Sequence, residues 1–182
     1  MGRFGFSMVG RWGIYAGKLA PGRDMQTVET LNGVHNRLII RDLNGKIRYE
    51  ADLGPGFVAA ASIYGQDALT RRNVRGMILQ GPDQDGNCRI VLAFNRKFVA
   101  AFDPELKVQW MTPLPDQPVR LLAVDKERTA VSCANGWVFL LDNKGRIIAR
   151  QQVDGLPAEM LSADGRLFVF SGKGVVTALD LK

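Results

Sequence analysis

VAAFDPELKVQW, residues 99–110, runs as an apolar strand into Asp103, turns within four residues and returns as a second strand that ends in Trp110. Three other stretches follow the same plan. LIIRDLNGKIRY, residues 38–49, sets Asp42 four positions before Lys46 and seven before Tyr49, the relation in which Asp103 stands to Lys107 and Trp110. VFLLDNKGRIIA, residues 138–149, places Asp142 before Arg146 and Ala149, and VVTALD, residues 175–180, reaches Asp180.

Around these hairpins the punctuation recurs. GMILQG, CRIVLAF, FVAAFD and KVQWM are parted by Asp85-Gly86, Asn95 and the Asp103 turn; VRLLAV, TAVSCA, WVFLLD and RIIARQQV by residues 125–128, Asn135-Gly136 and the Asp142 turn. AEMLSA, RLFVFS and VVTALD follow, parted by Asp164-Gly165 and residues 172–174. Asn-Gly and Asp-Gly pairs tolerate the positive φ that tight hairpins need. Asp103 to Asp142 is 39 residues and Asp142 to Asp180 is 38. A meander of four short strands at that period predicts an all-β chain, a β-propeller of four-stranded antiparallel blades with about four blades visible. The last blade lacks its outer strand, so a partial propeller is expected, and an open strand edge of that kind favours self-association or pairing with missing blades.

Earlier in the chain FGFSMV (residues 4–9), RWGIYAG (11–17) and MQTVETL (25–31) read as strands, and Asn44-Gly45 closes the first Asp hairpin. Asp42 to Asp103 spans 61 residues, 22 more than the later period, so residues 54–76 form an insertion. Loops projecting from a rigid scaffold collect binding residues, and this one carries Arg71, Arg72 and Arg75, candidates for contact with a partner.

The repeated residues have local explanations. Asp accepts a bond from the backbone amide two residues on and fixes the turn. A large aromatic on the outermost strand suits the wedge that opens between blades, which assigns Tyr49 and Trp110 to the seams. Ala149 is too small for that task, and Trp137 is the expected source of replacement bulk.

With 182 residues, 46% of them hydrophobic and 23% charged, the chain reads as one domain spanning residues 1–182. The net charge of +6 is concentrated early: residues 1–75 hold 11 Lys and Arg against 6 Asp and Glu. Such a surface attracts polyanions at long range, yet no basic run exceeds TRRNVR, residues 70–75, so nucleic acid is a secondary reading. Cys88 and Cys133 are far apart, without a C-x-x-C pair, and read as small buried thiols in strands. No apolar run approaches the roughly 20 residues of a membrane helix, and the first residues lack the apolar core of a signal peptide. The compartment is left open, because an export signal would lie upstream if the chain were a fragment.

A-x-D-x-E-x-K-V-Q-W, residues 101–110, with ALD at 178–180, is similar to the quinoprotein-like (PQQ-like) propeller repeat, whose blades run from Ala and Asp through a tight turn to Trp. The resemblance implies the propeller fold. The quinone-binding enzymes of that family also hold calcium and often show adjacent cysteines, which this sequence does not have, so their activity does not carry over with the fold. PDQDGNCRIVLAF, residues 82–94, looks like the D-x-D-G repeats of integrin-type (FG-GAP) propellers, which makes Asp83, Asp85 and Asn87 a weak calcium candidate. Arg89 stands near the place of the later acidic ligand and opposes a tight site.

Catalytic signatures find no support. His35, the single histidine, sits in VHN with no Asp placed to orient it, and neither a G-x-S-x-G elbow nor a phosphate loop is present. The sequence therefore favours a WD-repeat-like binding or scaffold module for a protein or polymer, with no cofactor. The alternatives are a piece of a quinone-dependent dehydrogenase and a polyanion binder acting through the basic insertion. Replacing Trp110 with Ala is expected to cost on the order of 3–5 kcal/mol in urea unfolding if the ring is buried in a seam, and a loss below about 1 kcal/mol would remove it from that role.

Overall fold

The computed structural model describes residues 10–32, 35–55 and 74–181, and within them every regular element is a β-strand. β1 (Gly10–Gly17), β2 (Gln26–Asn32), β3 (His35–Asp42) and β4 (Ile47–Pro55) form the first sheet. β5 (Val74–Gln80), β6 (Arg89–Phe94), β7 (Phe98–Phe102) and β8 (Val108–Pro113) form the second. The third holds β9 (Pro118–Ala123), β10 (Thr129–Cys133), β11 (Trp137–Leu141) and β12 (Ile147–Gln152), and the fourth β13 (Pro157–Ala163), β14 (Arg166–Ser171) and β15 (Val176–Asp180). RWGIYAG falls in β1; FGFSMV and most of the insertion lie outside the described residues.

Each sheet is an antiparallel meander in chain order, and the sheets meet through their first strands: β1 packs on β5, β5 on β9 and β9 on β13. The first strands are therefore innermost and β4, β8 and β12 outermost, the arrangement of propeller blades. One hydrophobic cluster fills each seam. Val28, Leu38 and Ile40 of the first blade meet Ile90, Leu92 and Phe102 of the second. Val91, Val99 and Ala101 meet Val131, Phe139 and Leu141 across the next seam, and Val138 and Leu140 meet Met160, Leu167 and Val169 across the last. Middle strands with a seam on either side are buried along nearly their whole length, as in β6, β7, β10 and β11. Cys133 lies fully buried in β10, whereas Cys88 is half-buried just before β6 rather than within a strand.

Strand register equates the repeated positions. Tyr49, Trp110 and Ala149 stand opposite Ile40, Ala101 and Leu140, and in each blade a one-residue shift follows between that pair and the Asp turn. Tyr49 packs into the first seam beside Leu106, which occupies a left-handed position (φ 63°) in the next blade's Asp turn. Trp110 packs into the second seam, where the matching turn residue is Gly145 (φ 77°). A Cβ on Gly145 would lie 2.6 Å from the indole and 2.8 Å from Thr112 Oγ1. The two seams thus reach the same fill differently, with a smaller ring and a leucine in one, and a larger ring and no side chain in the other.

At the third seam Ala149 leaves a cavity of about 270 Å³ lined by Val138, Leu140, Leu167, Leu179 and Leu181. The expectation that Trp137 supplies the missing bulk is corrected. Trp137 shares its face of β11 with Phe139, on which it stacks at 6.2 Å, and that face looks back to the second blade. Alternation along the strand turns Val138 and Leu140, not Trp137, toward the fourth blade.

The two terminal blades differ in their outward faces. The first is laced by ion pairs, Arg41 Nε to Glu29 Oε1 at 2.7 Å and Arg37 Nη1 to Glu50 Oε1 at 2.8 Å. The fourth shows Leu161, Phe170 and Val176 exposed by 53%, 40% and 53%; its β14 buries Leu167 and Val169 in the seam, and its β15 alternates between exposed and half-buried residues.

Gly145→Ala is expected to cost about 1–3 kcal/mol in urea unfolding, because the added methyl meets the indole at a backbone angle that disfavours it. Trp110→Tyr in the same chain should return part of that loss. A double-mutant cycle with no coupling would show that ring and glycine do not compete for one space.

Candidate functional site

The repeated Asp residues sit where β3 turns into β4, β7 into β8 and β11 into β12, and their carboxylates face their own turns. Asp42 Oδ1 accepts the amides of Asn44 and Lys46 at 3.0 and 2.9 Å; Asp103 Oδ1 accepts those of Glu105 and Lys107, both at 2.9 Å. Asp142 Oδ1 accepts those of Lys144 and Arg146, also at 2.9 Å. The second oxygen takes a side chain: Arg48 on Asp42, Gln109 on Asp103 and Arg146 on Asp142. Asp180 ends β15 and receives Arg166 Nε at 3.1 Å, with both side chains exposed. These turns lie on separate blades along one rim.

The calcium candidate has the same geometry. Asp83 Oδ1 accepts the amides of Asp85 and Asn87 at 3.0 and 2.9 Å, and the Asp83 amide donates to the Asn87 carbonyl, as the Asp42 amide does to Lys46. D-Q-D-G-N at 83–87 is thus the five-residue turn of D-L-N-G-K at 42–46, placed between β5 and β6. No group of three or more His, Cys, Asp or Glu suited to a metal occurs among the described residues. His35 opens β3, and Asp52 on β4 stands 3.6 Å from its Nδ1, so an acidic neighbour is present after all; both side chains are about two-thirds exposed. The neighbour was not visible in sequence because β3–β4 pairing brings together residues 17 apart. Burial pushes the Cys133 thiol up to about 12, with Asp116 adding to the effect, and burial also raises Cys88. Neither is disposed to act as a thiolate nucleophile.

The strands divide the chemistry between two rims. One carries the Asp turns and the turns from each first strand to its second. Here Arg23 donates from Nη1 to the Pro104 carbonyl at 3.0 Å, pairs with Glu105 and covers the Tyr49 ring, while Arg128 Nη1 donates to the Leu181 carbonyl at 2.6 Å. In both cases an arginine from one blade grips the residue after the next blade's repeated Asp. A cavity of about 430 Å³ on this rim is lined by the charged residues Arg23, Asp24, Asp42 and Arg48, of which Arg23 pairs with Glu105 and Asp42 with Arg48.

The opposite rim carries the connections between blades, including the one that leaves β4 at Pro55 and re-enters at Val74. β5, β9 and β13 each begin with a bulge there: pairing skips the residue between Val74 and Gly76, between Pro118 and Arg120, and between Pro157 and Glu159. Val119 and Ala158 fill two of these bulges and Arg75 the third. Arg75 and Arg120 line one recess of about 210 Å³ with Gln117, Pro118, Val119 and Ala134. Arg120 Nε meets Glu159 of the next blade at 2.9 Å and Nη1 donates to the Val119 carbonyl at 3.2 Å. Arg75 is exposed and has no hydrogen bond or ion pair among the described residues. Of the three candidate arginines the structure thus places Arg75 in a recess; Arg71 and Arg72 lie outside the described residues. Arg120 was missed in sequence; aligning the starts of β5, β9 and β13 sets it against Gly76 and Glu159.

No protein-family model and no curated protein matches the chain. Solved structures do. BBS1N in its crystal structure in complex with ARL6DN shares 18% identity at a TM-score of 0.69, over 96% of this chain and 53% of that one. The computationally designed Ika4 protein shares 13% at 0.63, over 96% and 93%, and a protein of unknown function from Bacteroides caccae 13% at 0.55, over 93% and 64%. The chain spans about half the length of BBS1N. At these identities the likeness is one of fold, and the fold is an all-β, propeller-like array of antiparallel sheets. No helix among the described residues is long and apolar enough to cross a membrane.

Desolvation raises the Asp142 carboxyl, but the amides of Arg146 and Lys144 and the Arg146 guanidinium outweigh it and hold the group below its ordinary value; Asp125, beside Arg128, behaves alike. The unfolded chain therefore takes up these protons first as pH falls. Their stabilisation is complete above the ordinary carboxylate range, at about pH 4, and drains away as pH drops through the lower folded values. Asp142→Asn should lower the urea midpoint at pH 7 and shrink the loss of midpoint between pH 5 and pH 3, scales set by the same carboxylate range. An unchanged acid limb would remove Asp142 from the acid response.

Proposed function

We propose that this chain is a non-catalytic β-propeller binding module that receives a protein partner on the rim carrying the connections between blades. The observation that carries the reading is the Arg75–Arg120 recess on that rim, the rim from which the long connection between β4 and β5 also departs. On the other rim the repeated carboxylates and the arginines Arg23, Arg48, Arg128 and Arg146 close turns and bind adjacent blades together, and the cations left exposed there are lysines such as Lys46, Lys107 and Lys144. A guanidinium already paired gains little from a partner, while an uncommitted one on a rigid strand offers its planar fork to one. BBS1N, which shares the fold, was crystallised in complex with ARL6DN, and this supports a protein-binding use of such a scaffold.

The residues behind the quinoprotein resemblance serve turns and seams, which supports a structural rather than a quinone-binding role for them. The test places a photo-crosslinking amino acid at Val119 in the recess or at Asn44 on the opposite rim, in the cells that produce the protein. Adducts with another protein are expected from position 119 and not from 44. Adducts from 44 alone would overturn the choice of rim, and adducts from neither would count against a protein-binding module.

A further inference from the structure

We propose that the recess between β5 and β9 is a carboxylate-binding site, which takes the acidic side chain of a partner's peptide segment between Arg75 and Arg120. The inference rests on the protein-binding reading and names the chemistry recognised. Radial packing of β5 on β9 brings Arg75 and Arg120, 45 residues apart in sequence, to line one hollow that has no carboxylate among its lining residues, with Glu159 beside it on Arg120 Nε. Arg75 enters through a β-bulge, a feature that re-aims a side chain, at a position where the two following blades carry Val119 and Ala158.

The ligand class follows from what Arg120 already does. Its Nε binds a carboxylate, Glu159, from the neighbouring blade, which leaves Nη2 with the whole of Arg75 for a second anion. Planar guanidinium forks suit carboxylates in paired hydrogen bonds. A volume of about 210 Å³ accommodates one acidic side chain, and no aromatic residue lines the hollow to stack a base. Those two features favour an acidic peptide over a nucleic acid strand, which needs a longer basic track.

The test is fluorescence anisotropy of the purified chain with a labelled peptide of alternating Glu and Gly, its Gln counterpart, and labelled oligothymidylate. The Glu peptide is expected to bind, the Gln peptide to fail, and Arg75→Glu and Arg120→Gln each to weaken the Glu peptide roughly tenfold. Lys144→Glu, an exposed charge reversal on the opposite rim, should leave binding unchanged and guards against a general charge effect. Circular dichroism confirms that each variant is folded, and Arg75→Lys, which keeps the charge and loses the fork, provides a milder second variant expected to bind at intermediate strength. Equal loss in Lys144→Glu, tighter binding of oligothymidylate than of the Glu peptide, or full binding by Arg75→Glu would overturn the proposal. Crosslinked partners at position 119 together with such a failure would leave the protein-binding reading standing and dispose of the carboxylate site alone.

Discussion

Sheets stacked side by side around an axis diverge as they run outward, and the widening gap between them has to be filled. Every repeated feature of this chain answers that constraint. Apolar strands close the inner part of each seam, and at the periphery an outer-strand ring meets the next blade's Asp turn. Close packing makes the fill a sum of volumes rather than a matter of one residue. Tyr49 therefore tolerates Leu106 opposite, whereas Trp110 requires Gly145, and where Ala149 contributes little a cavity remains.

The Asp turn is what delivers each ring to its seam. By taking two amides of its own turn, the carboxylate sets where the returning strand starts, and the bulge that follows shifts register by one residue. Side chains alternate faces along a strand, so that single shift decides which residue points into the seam. Tyr49, Trp110 and Ala149 reach equivalent places because all three blades make the same turn and the same bulge. Arg23 and Arg128 reach from the neighbouring blade to the residue after Asp103 and Asp180, and an arginine without such a commitment, Arg75, lies at the other end of the strands.

How the chain divides its polar residues also separates its two ends. Ion pairs across β2, β3 and β4 lace the first blade, while Leu161, Phe170 and Val176 stand exposed on the last. Blades that meet a neighbour on both sides can be apolar throughout.

The sequence by itself determined the strands, the hairpin turns, the period of the blades and the positions of Asp42, Asp103, Asp142, Tyr49 and Trp110, because these depend on residues within a few positions of one another. It marked D-Q-D-G-N at 83–87 as a turn with a weak calcium resemblance, but not that Asp83 binds its own amides, since a loop that binds calcium and one that binds its own amides share the same letters. It misplaced Trp137, whose direction is settled by strand alternation and by which neighbour each face meets. It named Arg75 as a candidate without Arg120, which lines the same recess, and it passed over Asp52 beside His35. Only the tertiary structure decided those, because residues far apart in the chain come within reach only once strands pair and blades stack, and local spacing carries no information about that distance.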